Sequence, residues 1–130
     1  MNGGGLTDDE VFAFIVDKID TVPHLEALLL LWKTRPQSWS VSDVGSRLYI
    51  SDDAARRLLE DLVRNGLIAA DEKGQDFRYG GGSETTDRLV NRVNEVYRTQ
   101  LVRVSTMIHS KASAAVRDFA RAFRFTKDRS

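Results

Sequence analysis

A mainly α-helical fold with a small two-stranded β-hairpin is what this sequence predicts, and three observations predict it. Apolar residues recur at three- and four-residue steps through most of the chain, the helical period. Polar capping residues stand in front of most of those runs. The apolar run Leu67-Ile68-Ala69-Ala70, the turn Glu72-Lys73-Gly74-Gln75 and the alternating Phe77-Arg78-Tyr79 make a hairpin pattern. The 130 residues fit one domain of modest core.

The elements follow in order. Met1-Asn2-Gly3-Gly4-Gly5 has nothing to bury, and residues 1–6 are expected to be a disordered tail. Thr7-Asp8-Asp9-Glu10 has capping-box spacing, and its acids suit a helix N-terminus. Val11, Phe14, Ile15, Ile19 and Val22 then predict an N-terminal helix within 7–22. Pro23 fits the first turn of a second helix. Leu25 to Trp32 is apolar nearly all round, which predicts a central position. Arg35-Pro36 ends that helix, and Gln37-Ser38-Trp39 is a loop or a very short strand. Ser40 caps a short helix over 41–49 that turns inward Val44 and Leu48. Tyr49-Ile50 makes a turn, and Ser51 caps a helix from Asp52 to Asn65. Gly66 stands just past its end, where glycine is favoured. Leu67–Ala70 and Phe77–Tyr79 are the strands, with Phe77 and Tyr79 packing inward.

After Gly80-Gly81-Gly82-Ser83, no glycine or proline occurs to His109. Leu89, Val93, Val96, Tyr97, Leu101, Val104 and Ile108 predict one long helix over 84–111. At ~1.5 Å per residue it spans on the order of 40 Å, more than the core of residues 23–80 needs. The stripe fits either a dimerisation element or a cover for the winged core; the dimer is favoured, with Val93, Tyr97, Leu101, Val104 and Ile108 as its expected interface. Residues 113–127 hold a short basic amphipathic helix, with Val116, Phe119 and Phe123 on one side and Arg117, Arg121 and Arg124 on another.

The formal net charge is zero, but it is unevenly spread: −4 over residues 1–22, −1 over 23–82 and +5 over 83–130. The basic last helix has three open readings: DNA phosphate, an anionic membrane surface, or an acidic protein surface, of which the chain's own acidic first helix is the nearest. No cysteine is present, so disulfides and thiolate metal sites are excluded. No apolar run is long enough to span a bilayer and no secretory signal opens the chain, so a cytoplasmic location and no stable membrane insertion are expected. His24, at a helix start, is read as solvated, and His109 suits a helix C-terminus; neither has a ligand neighbour at metal spacing. No nucleophile motif or phosphate loop is present. The expectation is no enzyme, no cofactor and no metal.

Helix, short helix, turn, capped helix and hairpin, in that order, resemble a winged helix-turn-helix. The stretch Leu59-Glu60-Asp61-Leu62-Val63-Arg64-Asn65-Gly66-Leu67-Ile68 resembles the end of the recognition helix in the MarR-like superfamily. The phrase Ser113–Arg124 is similar to the ending of a group of small bacterial winged-helix proteins. The resemblance implies a homodimeric transcriptional regulator that places the Asp52–Asn65 helix in the major groove of duplex DNA. Arg47, Arg56 and Arg57, with Lys73 and Arg78 of the hairpin, are then the nucleic-acid contacts. The charge pattern points the other way. Asp52–Arg56, Asp53–Arg57 and Glu60–Arg64 stand at i,i+4 spacing, so each arginine has a carboxylate of its own. The hairpin also carries Asp71, Glu72 and Asp76. The alternative is a protein-interaction adaptor on the same scaffold, without DNA binding.

Overall fold

The computed structural model describes residues 6–80 and 82–111. The expected disordered tail lies mostly outside them, and the basic helix over 113–127 lies wholly outside. Five helices and three strands run in the order α1 (Asp8–Lys18), α2 (Val22–Lys33), β1 (Trp39–Ser40), α3 (Val41–Leu48), α4 (Asp52–Arg64), β2 (Ile68–Ala70), β3 (Asp76–Tyr79) and α5 (Glu84–Thr99). A sixth helix, α6, is described over residues 101–111.

Local chemistry sets the helix starts. Thr7 and Glu10 complete the capping box of α1, and the side chains of Thr21, Ser40, Ser51 and Ser83 accept from backbone N–H groups at the starts of α2, α3, α4 and α5. Helix α4 ends as its glycine requires. Gly66 lies at φ 76°, its N–H donates to Val63 O and the Leu67 N–H donates to Leu62 O, both at 3.0 Å. This paired closure needs a left-handed residue, which glycine adopts without a Cβ clash.

Helix α2 is the centre of the molecule, as its all-round apolar pattern predicts. Leu25, Ala27, Leu28 and Leu31 have no exposed surface, and the helix touches α3, α4, β3 and α5. Ile15 and Ile19 of the α1 region, Leu59 and Leu62 of α4, and Val90 and Val93 of α5 close the same core. The sheet has three strands rather than two. Its order is β1-β3-β2, all antiparallel, with Trp39 opposite Phe77 and Ile68 opposite Tyr79. The two residues before α3 thus add an edge strand to the hairpin.

The long helix expected over 84–111 is two helices. α5 stops at Thr99, and Gln100 leaves helical geometry at φ −133°, ψ 47°. Thr99 Oγ1 donates to Glu95 O at 2.9 Å, a local bond that competes with the helical ladder. Val104 N–H then donates to Gln100 O and restarts the turns. A straight helix of that length would run well past the 11-residue α1. The break instead lays α6 along α1. The Arg103 guanidinium sits 4.6 Å from the Phe12 ring centroid, and Lys111 Nζ donates to Ile19 O at 3.2 Å and pairs with Asp20 at 3.4 Å.

Burial corrects the expected dimer interface at three positions. Val93, Val104 and Ile108 are buried inside the chain itself, and a side chain with no exposed surface has nothing to give a second copy. Tyr97 is half-buried, while Leu101 and its neighbour Val102 are exposed.

Candidate nucleic-acid interface

α3, the turn after it, α4 and the β2–β3 hairpin form one continuous face. Val41 and Val44 of α3 and Ala55, Leu58, Leu59 and Leu62 of α4 point inward, so the helical period turns Arg56 and Arg57 outward. Both are exposed, as are Arg47, Lys73 and Arg78. Arg47 lies 5.8 Å from the Trp39 ring centroid, at the edge of the sheet. Lys73 is in the tight turn of the hairpin and Arg78 stands opposite Ala69 on its outer side. The five predicted residues thus lie on three neighbouring elements.

The ion pairs differ from the expected register. Arg56 pairs with Glu60 at 3.9 Å, and Arg64 pairs with Asp61 at 2.8 Å. Neither Asp52 nor Asp53 has an ion pair within 4 Å among the described residues, and the same holds for Arg57. The N-terminal acids sit instead against helix dipole and turn. Asp52 Oδ1 would be 3.3 Å from a Cβ placed on Gly45, so this carboxylate is packed toward α3 rather than toward Arg56.

His24 is buried, which corrects the solvated reading. Helix α2 begins at Val22 with Thr21 as its cap, one residue earlier than Pro23 suggests, and this turns His24 toward α4. Its Nδ1 is 2.6 Å from Thr21 Oγ1 and its Nε2 is 2.9 Å from Asp61 Oδ2. Hydrogen bonding from His24, reinforced by Arg64 against the opposing cost of burial, holds the Asp61 carboxyl below its usual range. Asp20, His24 and Asp61 bring ligand-type atoms within 4.8 Å of one another. Lys111 already neutralises Asp20, and Arg64 does so for Asp61. Both His24 nitrogens are engaged, so the cluster fastens α2 to α4. A cavity of about 310 Å³ lies beside it, lined by Pro23, Ile50, Ala54 and Leu58 with Arg57 at one side.

The hairpin is well fixed at both ends. At its tip, Asp71 Oδ1 accepts the Gln75 N–H at 2.8 Å, and that bond holds the carboxyl low. Phe77, opposite Ala70, is buried as expected, and at the base the half-buried Tyr79 donates its O–H to Asp87 of α5. Burial first, and then that carboxylate, push the Tyr79 phenol up.

Between α3 and α4 stands a residue that the sequence pattern assigns only to a turn. Tyr49 lies at φ 59°, ψ 43°, the left-handed region, and is 95 % exposed. For a bulky L-residue this conformation costs roughly 1–2 kcal/mol. A signal for it is present in the sequence: with α3 ending at Leu48 and Ser51 capping α4, two residues must reverse the chain.

No protein-family model matches the sequence, and no curated protein does. Solved structures do match. The MarR repressor of Listeria monocytogenes is 16 % identical with a TM-score of 0.51, over 90 % of this chain and 81 % of that one. A MarR-family protein of Bacillus stearothermophilus is 21 % identical with the same score, over 93 % and 82 %. The YusO protein of Bacillus subtilis is 18 % identical, again at 0.51, over 88 % and 84 %. The chain has a MarR-like winged-helix fold. In this fold α3 and α4 form the helix-turn-helix and the β2–β3 hairpin is the wing. Helix α1 packs against both α5 and α6.

Proposed function

We propose that this protein is a cytoplasmic, non-enzymatic transcriptional regulator that binds duplex DNA as a homodimer, with α4 in the major groove and the wing on the backbone. The observation that carries this reading is the state of the α4 arginines. Arg57 has no ion pair among the described residues and Arg56 only a 3.9 Å contact with an exposed partner, so phosphate has little to displace. Exposed pairs of this kind contribute under about 1 kcal/mol. The fold supports the reading, since it sets α4 outward on a rigid core. Arg47, Lys73 and Arg78 flank the helix and supply further phosphate contacts.

One observation favours the adaptor reading: Asp52 and Asp53 are exposed at the N-terminus of α4, where the helix dipole would otherwise attract phosphate. The two readings forecast different salt behaviour. Anisotropy titrations on genomic fragments are expected to give nanomolar, salt-sensitive binding. The Arg56→Ala/Arg57→Ala double variant should bind more weakly and lower the salt slope by up to about 0.9 for each phosphate left without its arginine. If wild-type protein binds every duplex no tighter than about 10⁻⁴–10⁻⁶ M at physiological salt, DNA regulation is excluded. Replacing Asp52 and Asp53 by Asn would then raise affinity for any duplex, as the adaptor reading requires.

A further inference from the structure

Tyr49 does nothing for the packing of its own chain. Its backbone conformation is dictated from beneath. Gly45 O accepts the N–H groups of both Tyr49 and Ile50, the latter at 2.9 Å. A Cβ on Gly45 would stand 3.1 Å from Ile50 O, so the turn is seated directly on α3. This seat holds position 49 left-handed, where glycine or asparagine would sit with less strain. The Tyr49 ring, 95 % exposed, recovers nothing by burial. It is the one large aromatic so exposed among the described residues, and it stands at the entry of α4, just before Ile50 and the Ser51 cap.

We infer that Tyr49 is a positioning contact to the DNA backbone, its phenol O–H donating to a phosphate oxygen at the edge of the groove that α4 enters. The inference rests on the DNA reading above and deepens it. On the DNA reading a phosphodiester passes this end of α4. The N-terminus of α4 is closed to an anion by Asp52 and Asp53, and Ser51 Oγ already accepts the Ala54 N–H at 3.1 Å. A phosphodiester passing this end of the helix therefore needs a donor held outside the acidic pair, and the projecting phenol is such a donor. The strained turn fixes where that donor stands before DNA arrives, which spares the cost of ordering it on binding.

A neutral phenol displaces no counterion, and a phosphate contact carries no base information. Both properties give the test a signature of its own. Full-length protein is titrated by anisotropy against its selected genomic fragment and against a mixed-sequence duplex of equal length, over a range of salt. Tyr49→Phe should lose affinity by about three- to tenfold, by the same factor on both duplexes, with the salt slope unchanged. Tyr49→Gly should lose at least as much and show no drop in thermal midpoint. Wild-type affinity in Tyr49→Phe overturns the inference and leaves the DNA reading standing. So does a loss confined to one duplex, or a changed slope. A fall in midpoint for Tyr49→Gly overturns it as well, by giving Tyr49 a part in the fold. A wild type with no salt-sensitive duplex affinity overturns the DNA reading itself, and Tyr49 with it.

Discussion

The histidine at position 24 has a different meaning in the structure from the one its neighbours suggest. Next to a helix-starting proline, an imidazole looks solvated; yet it is 8 % exposed and joins the cap of α2 to the middle of α4. Proximity in sequence could not disclose this, because its partner Asp61 is 37 residues away. Removing only the charge at that partner isolates the bridge. Asp61→Asn is expected to destabilise the protein by about 1.5–3 kcal/mol at neutral pH, the range for a hydrogen bond to a charged group. The pH dependence follows from the lowered Asp61 pKa. A carboxyl held low when folded binds its proton more readily when unfolded, so the contribution is full above the ordinary value of 3.8 and disappears as pH falls through the lowered one. The gap between wild type and variant in urea unfolding should therefore start to narrow as pH falls below 3.8 and close only below the lowered folded-state value; a gap that stays constant through that fall would mean the carboxylate charge is not what matters.

At the scale of the element, sequence period and caps were sufficient for most of the fold. Thr7, Ser40, Ser51 and Gly66 mark ends that the structure keeps, because these signals act within a few residues. Leu25 to Trp32 told equally well that α2 is central. Two things escaped. The edge strand Trp39–Ser40 exists only through its pairing with β3, and two residues carry no period. The arrest of α5 at Thr99 likewise has no proline or glycine to announce it. The candidate interface divided along the same line. Outward Arg56 and Arg57 were readable from the period, whereas the partners they actually have were not. The joint between α3 and α4 offers a direct test. A Cβ at Gly45 already crowds Ile50 O, and branching adds atoms with nowhere to go. Gly45→Val should cost about 1–3 kcal/mol, the usual penalty of overpacking, measured as a lower denaturation midpoint. An unchanged midpoint would mean that the turn is not seated on α3.

For the whole molecule, the bend at Gln100 separates two jobs that a single apolar stripe had seemed to share. Ile108, 1 % exposed, belongs to the core of one chain. Ile108→Ala is expected to cost about 2–5 kcal/mol, with no dependence of the unfolding midpoint on protein concentration beyond that of wild type. Leu101 and Val102 are the exposed apolar pair on α6, and the proposed homodimer would use them. Leu101→Glu should leave the chain folded and shift sedimentation toward monomer; wild type that is monomeric at tens of micromolar, roughly the range of a weak complex, rules that use out. The prediction for Ile108 stands in either case, since it concerns packing within one chain.

The root of the wing contains a ready optical reporter. The chain has two tryptophans. Trp32 lies under the Arg35 guanidinium, 4.5 Å from its ring centroid, and the same guanidinium reaches the Tyr79 ring of β3. Trp39 is paired with Phe77 of β3 and donates its indole N–H to Thr34 at 2.8 Å. Both indoles therefore sense one strand of the hairpin, and neither is on α4 or α6. Unlabelled protein should change its emission when the wing is displaced or clamped, and remain silent to events confined to α6. Intrinsic fluorescence thus distinguishes a ligand that engages the wing from one that acts elsewhere on the surface.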